Sequence, residues 1–372
     1  MNILTPEYIA KVPKLGFGMM RMPEINGEVD IEQVKQMADH YMDAGMNYFD
    51  TAWFYHGGKS ELALKAAVVD RYPRESFTIA DKLPIWEAET AADVERIFNT
   101  QLERCGVDYF DFYLMHALDG GKHEKNTKLG AYDFVKRMKE EGKIKSIGFS
   151  FHGSLDDLRT IMADQSDMME FVQLQLNYYD WETNYQEEYN IIRSYNKPIV
   201  VMEPVRGGFL AKMPREIEDS FKAVHPDMSV ASWAIRFVAS LPGVMCVLSG
   251  MSNMDQLVDN VGYMKNFEPL NELELATVDK AAKTLHQAPT IPCTDCKYCI
   301  DCPIEIPIFE IFGVYNEEFV NKKAIGDFRR AYAKFDASTN ASACVECGMC
   351  ESVCPQNIPI IEKLADISDL AE

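Results

Sequence analysis

Eight of the ten cysteines lie in two arrays within the last quarter of the 372-residue chain. The first array, PCTDCKYCIDCP, covers residues 292–303, and the second, ACVECGMCESVCP, covers residues 343–355. Cysteines three residues apart cannot all reach distant partners comfortably, which disfavours disulfides. Cys-x-x-Cys pairs are common metal ligands, and two four-cysteine zinc sites would use all eight thiols. The spacing therefore predicts metal binding.

A second set of side chains could transfer protons. Apolar runs end at Asp50, Lys82 and His116, and Tyr55 follows Asp50. A tyrosine with a pKa of about 10 is a weak acid at neutral pH, but an adjacent ammonium lowers that pKa by stabilising the phenolate. We predict that Tyr55 protonates a carbonyl oxygen as hydride reaches the carbon, with its pKa lowered by Lys82. In this scheme Asp50 holds Lys82, and His116 orients or polarises the carbonyl.

These side chains need a fold that brings the ends of strands together. Helix-like patterns cover residues 30–44, 60–72, 92–106, 131–143 and 229–241. They alternate with eight strand-like runs, at residues 14–20, 46–52, 77–83, 109–116, 144–151, 171–177, 198–204 and 244–250. Eight strand–helix units favour an α/β fold, the closed (β/α)8 TIM barrel, whose active-site groups lie at the C-terminal ends of the strands.

A doubly wound parallel sheet would show the same alternation of strands and helices. Its dinucleotide-binding fingerprint is G-x-G-x-x-G at the first strand. Here Gly16-Phe17-Gly18 is followed by Arg21 at the position of the third glycine. The sequence therefore favours the barrel.

The proton-transfer residues resemble the catalytic tetrad of aldo-keto reductases. DTAWFYHGGKSE, residues 50–61, is similar to the family signature Asp-Thr-Ala-x-x-Tyr-Gly-x-x-Glu, while DKLP supplies the lysine and LMH the histidine. The resemblance covers roughly residues 12–285. It implies a (β/α)8 barrel, an aldehyde or ketone substrate, NADP(H) or NAD(H) as cofactor, and four catalytic residues: Asp50, Tyr55, Lys82 and His116.

The resemblance also implies contacts to the nicotinamide and the pyrophosphate. Ser150 and Gln173 match residues that hold the nicotinamide amide, although Phe151 replaces the usual asparagine. EPVRGGFL, residues 203–210, is similar to the pyrophosphate segment, with Met202 in place of an aromatic residue. Methionine can still pack at such a position.

SGMSNMDQLVDN, residues 249–260, resembles the loop that binds the adenosine phosphate, and a helix N-terminus there could accept an anion. Gly250 and Gln256 replace the basic residues that contact a 2′-phosphate, so the choice between NADPH and NADH stays open. The cofactor-binding residues implied by the resemblance are Ser150, Gln173, Glu203, Pro204, Gly207, Gly208, Ser249, Gly250, Met251, Gln256 and Asn260.

Aromatic residues follow two of the predicted strands and could wall an apolar substrate pocket. Packing in the core or at the rim explains any one of them equally well. They are Trp53, Phe54, Tyr55, Tyr178, Tyr179 and Trp181.

The cysteine spacing resembles the bacterial two-cluster ferredoxin pattern, in which the fourth cysteine of each run ligates the other cluster. The first array departs from it, with two residues instead of three before its last cysteine. The resemblance implies two 4Fe-4S clusters with crossed ligation. One cluster would be held by Cys293, Cys296, Cys299 and Cys354, and the other by Cys302, Cys344, Cys347 and Cys350.

The linker between the arrays, residues 303–343, is longer than in a minimal ferredoxin. Helix-like patterns cover residues 309–320 and 324–335, which indicates an α-helical ferredoxin-type module. The chain as a whole resembles a bacterial subgroup of aldo-keto reductases with a C-terminal ferredoxin domain.

The PTIP segment, residues 289–292, is the predicted domain boundary. It gives a barrel domain over residues 1–285 and an iron–sulfur domain over residues 286–372. Cys105 and Cys246 lie outside both arrays, and we expect them to be small buried apolar residues.

Charge and hydropathy exclude several classes of partner. The formal net charge is -21, and basic residues are scattered, which argues against nucleic acid and anionic membranes. An apolar run approaching the roughly 18 residues of a membrane span is not found, nor is a signal peptide. We expect a soluble cytoplasmic protein. Its acidity indicates either a solvated surface or docking to a basic electron-transfer partner.

Three functional hypotheses follow. The first is an NAD(P)H-dependent reductase whose clusters are structural or secondary. The second is an iron–sulfur electron-transfer protein with a redox partner, although hydride carries two electrons and a cluster normally one, so that communication with nicotinamide would need a converter such as a flavin. The third is a regulatory subunit that senses the cofactor without turnover.

Overall fold

The computed structural model describes residues 4–372, apart from the side chain of residue 184. Eight parallel strands close into a barrel in which each strand pairs with the next and the last pairs with the first. The strands are β1 Leu15–Gly18, β2 Tyr48–Asp50, β3 Thr78–Leu83, β4 Phe110–Leu118, β5 Ile144–Phe151, β6 Phe171–Gln175, β7 Ile199–Met202 and β8 Val244–Ser249. All eight predicted strands are present, which confirms the barrel.

The strands are almost continuously buried, as expected for a parallel sheet covered on both faces. All nine residues of β4 are buried. Inside the barrel the Phe112 ring packs against Tyr48 and Phe171, with centroids 5.0 and 5.3 Å apart. Gly148 makes room for Phe171, because a Cβ at position 148 would lie 2.6 Å from that ring. Burying each such ring stabilises the fold by about 1.5–3 kcal/mol.

Sixteen α-helices are found in the described part of the chain. They are α1 Pro6–Ile9, α2 Ile31–Asp43, α3 Ser60–Leu64, α4 Ala91–Cys105, α5 Gly120–Lys128, α6 Ala131–Glu140, α7 Leu155–Gln165, α8 Gln186–Ser194, α9 Arg215–Val224, α10 Val230–Ser240, α11 Met254–Met264, α12 Glu272–Leu285, α13 Ile308–Val320, α14 Ile325–Tyr332, α15 Met349–Ser352 and α16 Ile360–Ala371. Among residues 4–372, none of these helices has the length and apolar content needed to cross a bilayer.

Local sequence explains several helix ends. Thr90 and Asp93 form a reciprocal capping box at the start of α4, and Gly106 ends the helix with φ of 70°. The predicted helix over residues 60–72 is interrupted, since α3 gives way to a wider π turn at Lys65–Val69. A hairpin between Glu24–Ile25 and Glu28–Val29 was not predicted, although its Asn-Gly turn is a strong hairpin signal.

The chain forms two compact units. One comprises the chain up to Pro204 together with Ile235–Leu270, and the other comprises Val205–Ala234 together with Asn271–Glu372. The second unit therefore includes the segment after β7 as well as the cysteine arrays. The boundaries between residues 1–285 and 286–372 stay a prediction.

Two clusters of contacts stabilise the second unit. The Phe221 ring stacks on Trp233 at 4.5 Å, and His225 contacts Glu274 at 2.8 Å. The cysteine arrays surround a separate apolar core, whose fully buried members come from α13 and α16: Ile311, Leu364 and Ile367. Helices α13 and α14 lie where the sequence indicated them.

Candidate active site and cysteine sites

A buried ion pair joins the ends of β2 and β3. Lys82 Nζ lies 2.7 Å from Asp50 Oδ1 and donates a second hydrogen bond, of 2.6 Å, to the Thr51 carbonyl. Lys82 is fully buried and Asp50 is 2% exposed. Burial raises the pKa of Asp50, and the Lys82 charge opposes that rise. The predicted role of Asp50 in holding Lys82 agrees with this geometry.

Tyr55 lies in the turn after β2, and the Lys82 ammonium is 5.0 Å from its ring centroid. Burial raises the pKa of Tyr55 well above its ordinary value, and the carboxylates of Asp50, Glu203 and Asp81 raise it further. This corrects our expectation of a lowered pKa. The Lys82 ammonium is engaged by Asp50 and Thr51 and faces the ring, so burial dominates. The hydroxyl therefore keeps its proton at neutral pH.

His116 lies near the end of β4 in an aromatic surround. Phe54 stacks on its ring at 5.4 Å, Trp86 lies at 5.1 Å, and Tyr55 meets it edge-on at 6.4 Å. Burial lowers the pKa of His116 well below its ordinary value, helped by the Lys82 charge. Its Nδ1 has no hydrogen-bond partner among the described residues. A neutral imidazole therefore lies beside Tyr55.

The predicted aromatic wall is only partly formed. Phe54 lies over His116, but Trp53 is covered by the Arg104 guanidinium at 4.0 Å. Trp181 packs on Phe237 at 5.8 Å. Tyr178 also packs on Phe237, and Tyr179 is buried. Trp86 was missed, although its place after the DKLP strand end could have indicated it.

A polar network behind Lys82 was also missed. The Lys82 N–H donates to Asp81 Oδ1 at 2.8 Å, and its carbonyl accepts from Gln101 Nε2 at 3.0 Å. Gln101 accepts in turn from the Tyr113 hydroxyl at 2.6 Å. Burial raises the pKa of Asp81 and of the neighbouring Glu61. This network fixes the backbone on either side of Lys82. The sequence signal that could have indicated this network was the position of Asp81 directly before Lys82.

Ser150 and Gln173 are paired across β5 and β6. The Ser150 hydroxyl accepts a hydrogen bond of 2.7 Å from the Ala117 N–H. Gln173 Nε2 lies 3.4 Å from Met202 Sδ, while its Oε1 is buried without a hydrogen-bond partner in the described chain. A buried carbonyl oxygen of this kind suits an amide N–H donor, so this pair fits a nicotinamide carboxamide.

Arg21 lies beside the loop after β8, which sequence reasoning left without a basic residue. A Cβ at Gly250 would lie 3.0 Å from Arg21 Cδ, and Arg21 is 3.7 Å from Glu203. The only sequence signal was that Arg21 broke the glycine fingerprint of β1. Pro204, which the resemblance assigns to cofactor binding, is the last residue of the longer segment of the first compact unit.

The loop and helix after β8 are held by their own hydrogen bonds. Asn253 caps α11, and Gln256 Oε1 accepts from the Ser252 N–H at 2.8 Å. Asn260 donates to the Ser249 hydroxyl at 2.7 Å, and Met251 is buried. These contacts fix the loop conformation and leave the backbone of Gly250 beside Arg21.

An open groove at the N-terminal end of α11 is acidic. Its lining includes Asp30, Glu32 and Asp255, together with Asn253. Three carboxylates here oppose the attraction that the helix N-terminus has for an anion.

Two cavities of similar size contain the eight array cysteines, each with three from one array and one from the other. The first, of about 340 Å³ including space open to solvent, is lined by Cys293, Cys296, Cys299 and Cys354. The second, of about 330 Å³, is lined by Cys302, Cys344, Cys347 and Cys350. These are the two sets of four that the ferredoxin resemblance implies. Ile308 contributes to both linings.

The donor set fits iron–sulfur clusters. Burial raises the pKa of Cys293 to about 11 and that of Cys299 to about 12, so their thiolates need a bound cation at neutral pH. No three His, Cys, Asp or Glu side chains between residues 4 and 372 are arranged to hold a single metal ion. A cluster of several irons spans more space than one ion, and all-cysteine ligation is typical of it.

Cys105 and Cys246 are fully buried, as expected. The Cys105 thiol lies 3.8 Å from Asp81, and Cys246 belongs to the barrel core. Burial raises the pKa of both thiols.

The structure is thus a (β/α)8 barrel with a lysine–aspartate pair, a tyrosine and a neutral histidine at adjacent strand ends, a candidate site for proton transfer. The Aldo/keto reductase family model matches residues 14–283, and a 4Fe-4S dicluster domain model matches residues 292–359. The chain belongs to the aldo/keto reductase family. It is an NAD(P)-dependent oxidoreductase with a C-terminal 4Fe-4S dicluster domain.

Relatives and solved structures agree with this fold. The chain is 22% identical to the uncharacterized oxidoreductase YqkF of Bacillus subtilis, over 73% of this chain and 93% of YqkF. It is 23% identical to L-galactose dehydrogenase of Arabidopsis thaliana, over 70% and 86%. An aldo-keto reductase from Klebsiella pneumoniae, solved in complex with NADPH, matches with a TM-score of 0.59 and 21% identity, over 72% and 90%. Aldo-keto reductase AKR11C1 from Bacillus halodurans matches with a TM-score of 0.57 and 22% identity, over 73% and 92%.

Proposed function

We propose that the barrel reduces an aldehyde or ketone with Tyr55 as the general acid. The observation that supports this most directly is the convergence of Tyr55 with His116 and the buried Lys82–Asp50 pair. Reduced nicotinamide, when bound, supplies the hydride. Gln173 and Ser150 would hold its carboxamide.

Each residue has a role set by its environment. Tyr55 keeps its proton because burial disfavours the phenolate, and it releases that proton only to a carbonyl oxygen that is gaining negative charge. The Lys82 ammonium, whose Nζ lies 5.0 Å from the centroid of the Tyr55 ring, would then stabilise the phenolate. His116 is neutral, so it orients the carbonyl by hydrogen bonding without adding charge.

Replacement of Tyr55 by phenylalanine tests the proposal. We expect carbonyl reduction to fall about 10²–10⁴-fold, the usual contribution of general acid catalysis, while the dissociation constant of the nicotinamide nucleotide stays within about threefold. Tyr179→Phe is the matched control, because Tyr179 is also buried but lies outside the tetrad. Undiminished turnover in the Tyr55 variant would refute the assignment.

We propose two 4Fe-4S clusters with crossed ligation in the C-terminal module. The support is the lining of the two cavities, each with one cysteine from the other array. Cys293→Ser combined with Cys354→Ser removes two ligands of one proposed cluster and should halve the iron content of anaerobically purified protein, whereas Cys344→Ser combined with Cys354→Ser should lose almost all of it. Cys246→Ser, in the barrel core, should retain all of the iron. The opposite result for the two double variants would contradict crossed ligation.

We propose that the nucleotide site favours NADH over NADPH. The support is the acidic groove at the α11 N-terminus, where Asp255 lies near Asp30 and Glu32. A carboxylate near a 2′-phosphate costs about 1 kcal/mol at 4 Å in water, or roughly fivefold in affinity. Asp255→Lys should therefore tighten NADPH binding about fivefold or more without changing NADH binding. Glu95→Lys, an exposed charge reversal on α4, is the control, and equal effects in both variants would reject the groove as the cause.

A second candidate function is exchange of single electrons between the clusters and a partner protein in the cytoplasm. Exposed apolar residues adjoin the array cysteines, namely Ile300, Val345, Met349 and Val353, and Cys347 is itself exposed. Since hydride carries two electrons and a cluster normally one, we assign cluster electrons to the partner and not to nicotinamide. Anaerobic titration with NADH and NADPH should leave cluster absorption unbleached, and bleaching would demand a two-to-one-electron converter.

A further inference from the structure

Arg206 is a buried cation in the loop after β7. Only 2% of it is exposed, and its guanidinium lies 5.0 Å from the centroid of the Phe209 ring. Arg206 directly precedes Gly207, a residue that meets the first cysteine array at Thr294. A guanidinium removed from water needs compensating hydrogen bonds or opposite charge. Thr294 lines the first cysteine cavity, so the buried cation is one residue away from a contact with that site.

The next residue, Gly207, touches the first array directly. Its φ of 64° is in the left-handed region, and a Cβ there would clash with the Thr294 carbonyl group, whose carbon would be 2.5 Å away. Thr294 is buried between Cys293 and Cys296 and lines the same cavity. All these residues belong to the second compact unit. The loop is therefore fastened to the cysteine array by a contact that admits only glycine.

We propose that Arg206 is a positioning residue for the cluster held by Cys293, Cys296, Cys299 and Cys354. Its fixed charge raises the reduction potential of that cluster alone, and the assembled cluster in turn holds the loop 205–210 in place through Gly207 and Thr294. This inference rests on the proposed function for the cluster itself and concerns neither hydride transfer nor the nucleotide.

The physical reason is electrostatic. Reduction adds one negative charge to a cluster already surrounded by thiolates, and net charge with solvent exposure sets cluster potentials. A buried cation stabilises the reduced form more than an exposed one, because water screens it less. If the cluster fixes the loop, the loop and the cluster stabilise each other reciprocally.

An EPR-monitored redox titration of the anaerobic holoprotein tests the effect of the Arg206 charge on the reduction potential of the cluster. Arg206→Gln should lower the equilibrium constant for reduction of one cluster at least tenfold, which corresponds to a fall of 59 mV in its one-electron reduction potential. The potential of the other cluster should not change. Arg206→Lys keeps the charge and should stay within threefold of wild type. Arg215→Gln is the control, since the Arg215 side chain is 92% exposed in the same unit. Unshifted potentials in Arg206→Gln, or equal shifts of both clusters, would overturn the proposal.

Hydrogen exchange of the loop tests whether the assembled cluster holds residues 205–210 in place. In the holoprotein with Gly207→Ala, the amides of residues 205–210 should exchange at least tenfold faster, and one cluster should be lost earlier in air. Gly208→Ala controls for backbone strain, because Gly208 also has a positive φ but a Cβ there would meet no atom within 4 Å. Equal effects of the two variants would refute the contact.

Iron loss from Arg206→Gln but not from Arg206→Lys supports the electrostatic role, and equal loss from both refutes it. Neither readout uses a nucleotide, so a failed reductase assignment would leave these results unchanged.

Discussion

Replacement of Lys82 by methionine should destabilise the barrel as well as abolish its chemistry. Lys82 is fully buried and its ammonium lies 2.7 Å from Asp50 Oδ1. Methionine fills a similar volume but leaves the Asp50 carboxylate buried without its cation. Removing one partner of a buried pair costs about 3–5 kcal/mol, and we expect this loss in the free energy of unfolding at pH 8.

The loss should depend on pH in a defined direction. Burial raises the pKa of Asp50 and only Lys82 opposes it, so the variant has a still higher folded pKa. Between the unfolded value of about 4 and that raised folded value, the native state binds one more proton than the unfolded state. Stability therefore falls by about 1.4 kcal/mol per pH unit as pH rises through this window, and it recovers on acidification.

Urea denaturation of the holoprotein, followed by tryptophan fluorescence at several pH values, measures both effects. Asp50→Asn combined with Lys82→Met removes the buried charge and should regain most of the stability that Lys82→Met alone loses at pH 8. The reasoning is refuted if the single and double variants unfold at the same urea concentration, or if Lys82→Met shows the pH dependence of wild type.

The remaining predictions concern packing, proton transfer, iron and coenzyme. Gly148→Ala should destabilise the barrel by about 1–3 kcal/mol in urea denaturation because its Cβ meets the Phe171 ring. Gly262→Ala, where nothing lies within 4 Å in α11, should stabilise it by up to about 1 kcal/mol; the same sign in both would contradict the packing argument. Tyr55→Phe should lower the rate of carbonyl reduction about 10²–10⁴-fold without loss of nucleotide binding, as steady-state kinetics and fluorescence titration would show. Cys293→Ser combined with Cys354→Ser should halve the iron content, and Asp255→Lys should favour NADPH.

The barrel and its strand-end residues were predictable because their signals are local. Buried parallel strands appear as continuous apolar runs, and each of the eight is in the expected place. The polar residue that ends such a run must face the C-terminal mouth, which is how Asp50, Lys82 and His116 were found. Cysteine spacing is likewise a property of the chain, and the dicluster domain match over residues 292–359 agrees with it.

Neighbours distant in sequence were the part that could not be predicted. Arg21 lies beside Gly250, and Trp86 beside His116, although no local pattern links either pair. The pKa of Tyr55 was predicted in the wrong direction, because the sequence indicated the nearby lysine but not the degree of burial.

By itself, then, the sequence determined the number of strands and the two cysteine arrays, since periodicity and spacing encode them directly, while the resemblance to known families implied the tetrad and the two sets of four cysteines. Only the tertiary structure decided how buried each group is and which loop meets which array. The contact of Gly207 with Thr294, one residue from the buried Arg206, joins segments almost ninety residues apart. Such contacts depend on how separate elements pack, and electrostatics follows from that packing because burial removes the water that screens charge.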